Sequence, residues 1–589
     1  MQTVDFTTLT AICADLRQHW LPARVEQVYQ RDRHTITLAL RTLEGRGWLD
    51  ISWHVQAARL CIGTPPPRTP DTFTFSQQLR HQIGGLALVE IGAIAPWERA
   101  LDLRFARRPG DPPLWHLYVE IMGKYSNVIL TNQQQQVVTA AHQVGSQQSS
   151  VRAIQTGQPY EPPPSLTNPV PSLEEPFDRW QERVGLVPDR LWRSLLNNYR
   201  GLSPLLTRLM ATAAGLDPNQ STADLDPKDW QRLHDRWREW LHILHSERFT
   251  PGWLPEGYTV LPWGAVAPAK SVQHLVNQYY TDQLSQQTFS QLRHQLSQKL
   301  ASILKKLYIK AEDFQQRLQQ SDQADRHREQ ADLLMAYLHE WQPGMTTISL
   351  PDFATEEPVA ISLDPTKNAV QNAQALYKRH QKMKRSRLAI TPLLEAVQAE
   401  IDYLEQVEAA IAQFDDYQTP DDLTSLMEIR DELIQQGYLE DTEQRRSEAQ
   451  AETDFHRYPS PGGYDILVGR NNRQNDRLTF RVATDYDLWF HTQEIPGSHV
   501  LLRLNPGAVP DDADLQVTAD IAAHYSRARQ GDQVPVVYTE PRHVYKPKGA
   551  MPGMAIYKQE QVIWGNPQRG KAYVTELGRS PTATLTGAG

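Results

Sequence analysis

The sequence predicts a multidomain α+β protein with a mixed α/β N-terminal domain, a helical domain, a long antiparallel coiled coil and a C-terminal α/β domain. Three observations support this fold class. Short segments of alternating polarity occupy the N-terminal part, long stretches rich in Gln, Glu, Lys and Leu follow, and short segments broken by glycine return after about residue 453. A chain of 589 residues has room for about three to five domains of ordinary size.

The N-terminal domain is predicted over residues 1–175. Thr35 to Leu40 and Leu101 to Phe105 alternate between apolar and polar residues, which is typical of half-buried strands. The prolines between Pro162 and Pro171 mark the end of this domain.

A helix-hairpin-helix domain is predicted over residues 176–275. Tyr199 to Ser203 lies between two apolar helical stretches, and a glycine turn before a helix can present backbone N–H groups to a phosphate. An ordinary helical hairpin with a glycine C-cap has the same pattern, so both interpretations stay open here.

Two apolar stripes predict a coiled-coil arm over residues 276–452, with a small middle segment near its tip. One stripe consists of Leu292, Leu296, Leu300, Ile303 and Leu307; the other consists of Leu394, Val397, Ile401, Leu404, Val407, Ile411 and Phe414. Asp364-Pro365 is predicted to cap the second helix, and Thr391-Pro392 to kink or restart it.

The C-terminal α/β domain is predicted over residues 453–570, with Thr518 to Arg529 as a helix. Residues 571–589, rich in Thr, Gly and Ala, are predicted to be a disordered tail.

Composition and motifs argue against catalysis and membrane insertion. Two cysteines are too few for a disulfide framework or a cysteine zinc site. The sequence has no P-loop, no nucleophile elbow and no HExxH motif, so we expect no catalytic residue, no metal and no cofactor. The start lacks a signal-peptide pattern and no long apolar run follows, which predicts a cytoplasmic protein without a membrane partner. The net charge of −9 means that any nucleic-acid contact must come from local basic surfaces.

One such surface is predicted in the C-terminal domain, where arginines alternate with Asn amides and aromatic rings follow. The predicted RNA contacts are Arg470, Asn471, Asn472, Arg473, Trp489, His491 and His499. The alternative is a strand whose inward face is Leu478, Phe480 and Val482, with Arg477 and Arg481 on a solvated outer face.

A second surface is the run from Lys378 to Arg387, which holds seven basic side chains when His380 is counted. Contact with a phosphate backbone would use Lys378, Lys382, Lys384 and Arg385. A solvated coiled-coil face is the alternative.

Several motifs in order give the chain, over about residues 3 to 565, a resemblance to the NFACT family and to its bacterial, RqcH-type branch. They are Glu120 to Asn127, Ser150 to Arg152 with Gly157 and Tyr160, Leu363 to Pro365 with Asn372 to Gln374, the segment from Val468 to His499, Ala522 to Ser526, Val544 to Pro547, and Pro552-Gly553. The resemblance implies NFACT-N, helix-hairpin-helix, coiled-coil and NFACT-R domains in this order.

The resemblance also implies a function in ribosome quality control. Such proteins bind the large ribosomal subunit that carries a stalled nascent chain on peptidyl-tRNA, recruit tRNA, here alanyl-tRNA, and promote untemplated C-terminal tailing. Peptidyl transfer would belong to the ribosome, so the chain is expected not to be an enzyme.

For the tRNA site, the family's Asp-Arg pair corresponds to Glu98-Arg99, where Glu replaces Asp and extends the carboxylate by one methylene. The N-terminal motif adds Glu120, Lys124, Ser126 and Asn127 as tRNA-binding candidates. Two other functions remain as alternatives: a surface adhesin for fibronectin or fibrinogen, testable by cell fractionation, and a glycosylase-like DNA-processing enzyme, testable by an incision assay.

Overall fold

The structure is a computed structural model that describes residues 1–66, 70–145, 147, 152–164, 167–321, 323–440 and 454–579. The chain divides into two compact units, Met1–Ser285 and Gln286–Gly589. The first unit contains the first two predicted domains and residues 276–285 of the predicted arm, and the second contains the rest of the arm and the C-terminal domain.

A nine-stranded antiparallel sheet forms the base of the first unit, in the order β4-β3-β2-β1-β5-β6-β7-β8-β9. Its strands are β1 (Ala23–Asp32), β2 (Thr35–Arg41), β3 (Arg46–Ser52), β4 (Arg59–Gly63), β5 (Ala87–Ala93), β6 (Ala100–Ala106), β7 (Trp115–Glu120), β8 (Asn127–Asn132) and β9 (Val137–Ala140). Helices α1 (Phe6–Trp20) and α2 (Thr74–Ile83) contribute to its apolar core. The strands predicted at Thr35 and Leu101 are confirmed as β2 and β6. Their predicted half-burial is wrong, because β2 is buried on both faces from Thr35 to Leu40 and β6 is buried on both faces over nearly its whole length.

The rest of the first unit is helical and is built around tryptophans. Its helices are α3 (Phe177–Gly185), α4 (Leu191–Asn198), α5 (Pro204–Ala213) and α6 (Pro227–Ser246), followed by the short strands β10 (Gly252–Leu254), β11 (Gly257–Thr259) and β12 (Ala267–Pro268). Trp180, Trp237 and Trp240 are fully buried in its core. An Asp226 capping box and the first-turn proline start α6.

Two long helices pack together around one hydrophobic core of the second unit. They are α7 (Val272–Ser321), whose first turns belong to the first unit, and α9 (Ala369–Ala412). The two helices run antiparallel, because Tyr308 hydrogen-bonds Glu405 while Arg293 contacts Asp415. Both predicted apolar stripes lie in this core. Between the helices come α8 (Ala324–Ala336) and the hairpin of β13 (Thr347–Pro351) and β14 (Pro358–Ser362); α10 (Pro420–Gln435) follows.

The predicted start of α9 and its predicted restart at Thr391-Pro392 are wrong, and a kink at this proline stays a prediction. The helix is capped by Asn368, which forms a capping box with Gln371, whereas Asp364 accepts the Thr366 N–H in a turn. Pro392 lies inside one continuous helix instead of restarting it.

The C-terminal domain contains a six-stranded antiparallel sheet in the order β15-β16-β18-β17-β19-β22. Its elements are β15 (His456–Pro459), β16 (Asp465–Val468), α11 (Asn472–Arg477), β17 (Leu488–Thr492), β18 (Val500–Arg503), α12 (Asp512–His524), β19 (Val534–Thr539), β20 (Val544–Tyr545), β21 (Ile556–Tyr557), β22 (Gln561–Gly565) and α13 (Pro567–Arg579). Strands β20 and β21 form a separate two-stranded ribbon.

One alternative interpretation and two predictions about residues 453–589 need correction. Residues 478–482 form a helical turn after α11 instead of a strand, which leaves Leu478 buried and Phe480 exposed. The helix predicted from Thr518 to Arg529 begins earlier and ends at His524. Residues 571–579 continue α13 instead of starting a tail, and 580–589 lie outside the described residues.

Within the described ranges, no helix is both long and apolar enough to cross a membrane.

Candidate nucleic-acid interface

In the sheet of the first unit, both predicted tRNA-binding segments lie at the same end of adjacent strands. Ala100, which follows Glu98-Arg99, pairs with Glu120 at the end of β7, and Glu120 pairs in turn with Asn127 at the start of β8. The Ile121 N–H donates to the Arg99 carbonyl at 2.8 Å. Segments that the sequence separates therefore lie side by side.

The loop before β6 holds the Glu98-Arg99 pair in a fixed position. Trp97 has a positive φ of 62° and stacks on Phe6 with ring centroids 4.7 Å apart. Glu98 Oε1 lies 3.6 Å from Arg200 Nη1, and Arg99 Nη1 donates to the Val4 carbonyl at 3.2 Å. Both side chains of the pair are half-buried. Sequence reasoning missed Arg200, since nothing in the sequence indicates that its turn reaches this loop.

The turn between α4 and α5 packs against this loop, so that Gly201 and Ser203 contact protein groups. A Cβ on Gly201 would lie 2.5 Å from the Trp97 ring, and Gly201 has a φ of 80°. Ser203 caps α5 by accepting the Leu206 N–H and donates its own hydroxyl to Asp5 at 2.6 Å. The start of α5 thus faces a protein carboxylate, and phosphate binding by the turn stays a prediction.

Glu120 is buried and makes internal polar contacts. It is 1% exposed, forms a two-pronged ion pair with Arg152 and accepts the Tyr160 hydroxyl at 2.8 Å. Burial beside this carboxylate raises the pKa of Tyr160 well above its ordinary value.

Ser126 and Asn127 also make internal hydrogen bonds. Ser126 Oγ accepts the Met122 N–H at 2.9 Å, and the Asn127 amide bonds both the N–H and the carbonyl of His142. Direct tRNA contact by Glu120, Ser126 and Asn127 is therefore corrected to a supporting role, because their polar atoms face protein. Lys124 is exposed and lies 4.9 Å from the ring of Tyr125, itself 70% exposed.

The basic run on α9 is an open surface. Lys378, Lys382, Lys384 and Arg385 are all exposed. Within the described part of the chain, none of these four has a carboxylate oxygen within 4.0 Å. In the same run, the His380 ring nitrogen faces the Ala324 carbonyl at 2.9 Å. Unpaired cations on an exposed stretch of helix can be neutralised by phosphates.

The Arg-Asn segment of the C-terminal domain is buried against α10. Asn471 and Asn472 are 1% and 2% exposed, and Arg470 is 8% exposed. The Asn471 amide donates to Glu428 at 2.6 Å, and the Asn472 amide donates to Glu432 at 3.2 Å.

Arg470 lies 3.6 Å from both Asp421 and Asp422. Arg473 is half-exposed and donates to Gln435 at 2.5 Å. The predicted RNA contacts of Arg470 and its two neighbouring Asn residues are thus corrected: these side chains contact the acidic surface of α10, and only Arg473 reaches solvent.

Trp489, His491 and His499 form a closed polar cluster. Trp489 is 1% exposed and donates to Thr479 at 3.0 Å, and Thr479 bonds the His499 ring at 2.6 Å. His491 faces the Gly497 carbonyl. Base stacking needs an open ring face; these rings lie in the domain interior, so their predicted contact with RNA is corrected to core packing.

Burial of the two histidines should make the domain sensitive to acid. It lowers the pKa of His491 to about 4 and that of His499 to about 3, while the unfolded chain titrates near 6.5. Below about pH 6.5 the unfolded state binds protons that the folded state does not, so stability falls as pH drops towards 4. At pH 5 the expected loss is about 2 kcal/mol per histidine.

The measurement is the urea midpoint of hydrogen-exchange protection in β17 and β18 at pH 7 and pH 5. His499→Gln should lose part of the pH dependence. A variant whose midpoint falls in parallel with that of the parent protein would contradict this account.

No group of His, Cys, Asp or Glu with metal-binding geometry occurs among the described residues. A cofactor-free protein stays an expectation from the sequence motifs.

Comparison with known proteins identifies the family to which this chain belongs. Residues 5–452 match the family model described as NFACT N-terminal and middle domains, and residues 454–557 match the NFACT protein RNA binding domain. The chain therefore belongs to the NFACT family, and its C-terminal domain is of the RNA-binding type.

Within the family, its similarity is to the RqcH type. It is 29% identical to the Rqc2 homolog RqcH of Bacillus subtilis (strain 168) over 94% of this chain and 96% of that protein. It is also 29% identical to the Rqc2 homolog RqcH of Streptococcus suis (strain 05ZYH33), over 95% of this chain and 97% of that protein. The solved C-terminal part of the Streptococcus suis fibronectin/fibrinogen-binding protein is 30% identical, covering 48% of this chain and 98% of that chain, with a TM-score of 0.37.

Proposed function

We propose that this protein is a cytoplasmic ribosome quality-control factor. It binds the large ribosomal subunit that carries a stalled nascent chain on peptidyl-tRNA, recruits alanyl-tRNA and promotes untemplated alanine tailing. The ribosome performs peptidyl transfer, so the factor itself needs contact surfaces and no nucleophile.

The observation that carries the proposal is the open basic surface of α9. Lys382, Lys384 and Arg385 are exposed in a chain whose net charge is −9, so the long-range field does not favour RNA and the contact must be local. Similarity to RqcH proteins over nearly the whole chain supports the ribosome as the source of that RNA.

The support for tRNA handling is the Glu98-Arg99 pair. Arg99 is half-buried with one donor fixed on the Val4 carbonyl, and a guanidinium fork offers further donors in a defined geometry. Such an arrangement suits recognition of a phosphate or a base edge.

Sequencing the RNA that copurifies with the native protein tests the proposal directly. We expect large-subunit ribosomal RNA together with one dominant tRNA species. A preparation without ribosomal RNA would contradict the proposal, and it is what the adhesin and DNA-processing alternatives predict.

The α9 surface gives a quantitative test of subunit binding. Replacing Lys382, Lys384 and Arg385 with Gln should weaken association with large subunits and lower the slope of log affinity against log salt by about 2 to 3, since each lost phosphate contact removes roughly 0.9. The variant should fold normally because these side chains are exposed.

A control with the same loss of charge comes from the first unit. Lys228, Arg248 and Lys270 are exposed, and changing them to Gln should leave the salt slope unchanged. Equal slopes for both triple variants would show that the α9 cations form only a solvated helix surface.

A further inference from the structure

The ribbon of β20 and β21, with the loop that joins its strands, is a basic segment that none of the predicted RNA contacts includes. Residues 541–558 contain four cations and no Asp or Glu. These cations are Arg542, Lys546, Lys548 and Lys558, and all four are exposed. Such a segment without acids stands out in a chain with more acidic than basic residues.

Two of the four cations already have partners. Arg542 pairs with Glu540, and Lys546 pairs with Asp476. Within the described residues, Lys548 and Lys558 have no carboxylate oxygen within 4.0 Å. Two cations of the ribbon are thus available to an anionic ligand.

The ribbon also exposes an aromatic ring beside these cations. Tyr545 is 46% exposed, and its cross-strand partner Ile556 is 54% exposed. The Lys558 ammonium lies 5.6 Å from the centroid of the Tyr545 ring. Trp489 and His491, by contrast, are closed inside the domain. An exposed ring next to cations is the combination with which proteins bind unpaired nucleotides, by stacking and phosphate contact.

Helix α11 supports this ribbon from the inner side of the domain. Asp476 on α11 accepts the Gly553 N–H at 3.1 Å in addition to its ion pair with Lys546. Gly553 has a φ of 79°, and a Cβ there would lie 2.5 Å from the Asn472 side chain. The ribbon loop is therefore fixed by close packing on α11, which reduces the entropy lost when a ligand binds.

We propose that the ribbon is the RNA-contacting surface of the C-terminal domain. Lys548 and Lys558 bind phosphates of an unpaired RNA strand, and Tyr545 stacks on one of its bases. The proposal rests on the proposed function, because it takes the RNA to be that of the large subunit. In this proposal the ribbon contacts RNA in place of the buried segment from Arg470 to Asn472, and that segment helps to hold the ribbon in position.

The test uses the full-length protein with two probes, intact large ribosomal subunits and the same ribosomal RNA freed of protein. Replacing Lys548 and Lys558 with Gln should lower the salt slope on both probes by about 1.4 to 1.8, the value for two phosphates of single- or double-stranded nucleic acid. Replacing Lys228 and Lys270 with Gln removes the same charge from exposed positions of the first unit and should change neither slope.

Stacking is tested at Tyr545. Tyr545→Ala should weaken RNA binding about fivefold or more, and Tyr545→Phe, which keeps the ring, should restore most of it. Equal losses for Ala and Phe would overturn the stacking contact.

The remaining outcomes separate this inference from the function on which it rests. Unchanged slopes for the Lys548 and Lys558 variant, with normal binding by the parent protein, would overturn the ribbon proposal and leave the proposed function intact. A loss on intact subunits but not on free RNA would assign the ribbon to a ribosomal protein, which also overturns it. No binding by the parent protein to either probe would remove the proposed function itself.

Discussion

Arg99→Ala is expected to leave the protein bound to the large subunit but to remove tRNA from it. The side chain lies in the first unit, where the start of β6 pairs with the end of β7. The cations proposed to bind the subunit lie on other elements. Loss of a guanidinium that binds through several donors should lower tRNA recovery at least tenfold, since hydrogen bonds to charged groups contribute about 1.5–3 kcal/mol each. The measurement is the molar ratio of tRNA to large-subunit RNA in the purified complex, together with extension of stalled chains.

Two further variants make this result specific. Arg99→Lys keeps the charge but not the planar fork, so it should not restore tRNA. Arg200→Ala should reduce tRNA recovery less, because the contact of Arg200 with the pair is an ion pair with Glu98, at 3.6 Å. If Arg99→Ala retains its tRNA at the level of the parent protein, the Glu98-Arg99 pair is not the tRNA site, and Lys124 with Tyr125 on the neighbouring loop becomes the next candidate.

Local pattern predicted those elements that place a regularly spaced set of apolar side chains in a core. The alternation in Thr35 to Leu40 and the apolar stripe from Leu292 to Leu307 reappear as β2 and as the packed surface of α7. Both succeed because regularly spaced apolar side chains of each element enter a core, so the side-chain period and the backbone period must agree.

Helix ends were predicted less well, because capping residues also form turns. Asp364 caps a turn through the Thr366 N–H, and Asn368 caps the helix. Pro392 removes one backbone donor, yet α9 continues through it, and its C-terminal half packs Val397 and Ile401 into the core with α7. Tertiary packing of this kind can outweigh the roughly 3 kcal/mol that a proline costs a helix interior.

The candidate site shows a different limit of sequence reasoning. Arg470 and its two Asn neighbours have the residue types of an RNA-binding loop, but such groups bind protein carboxylates with the same geometry. Their partners Glu428 and Glu432 lie on α10, far along the chain, and no local pattern connects the two segments. Burial therefore distinguishes contact with RNA from contact with protein carboxylates. Burial is known from the fold and not from the local sequence.

Arg470→Glu should destabilise the second unit strongly, whereas Arg473→Gln should have little effect. Arg470 is 8% exposed and lies 3.6 Å from Asp421 and Asp422, so the new carboxylate would be buried beside two others. Breaking a buried ion pair from one side costs about 3–5 kcal/mol. Arg473 is half-exposed and makes one hydrogen bond, to Gln435, so its loss should cost about 1 kcal/mol or less.

The readout is hydrogen exchange in α10, β16 and α11, measured beside large-subunit binding at the same temperature. We expect Arg470→Glu to lose protection and binding together, because Asn472 and Asp476 would no longer hold the ribbon loop in place. Arg470→Met keeps much of the side chain's volume without adding a third carboxylate, so it should be less destabilised than Arg470→Glu. Full protection in Arg470→Glu together with lost RNA binding would mean that the arginine contacts RNA directly, and the assignment of this segment to the domain interior would then be wrong.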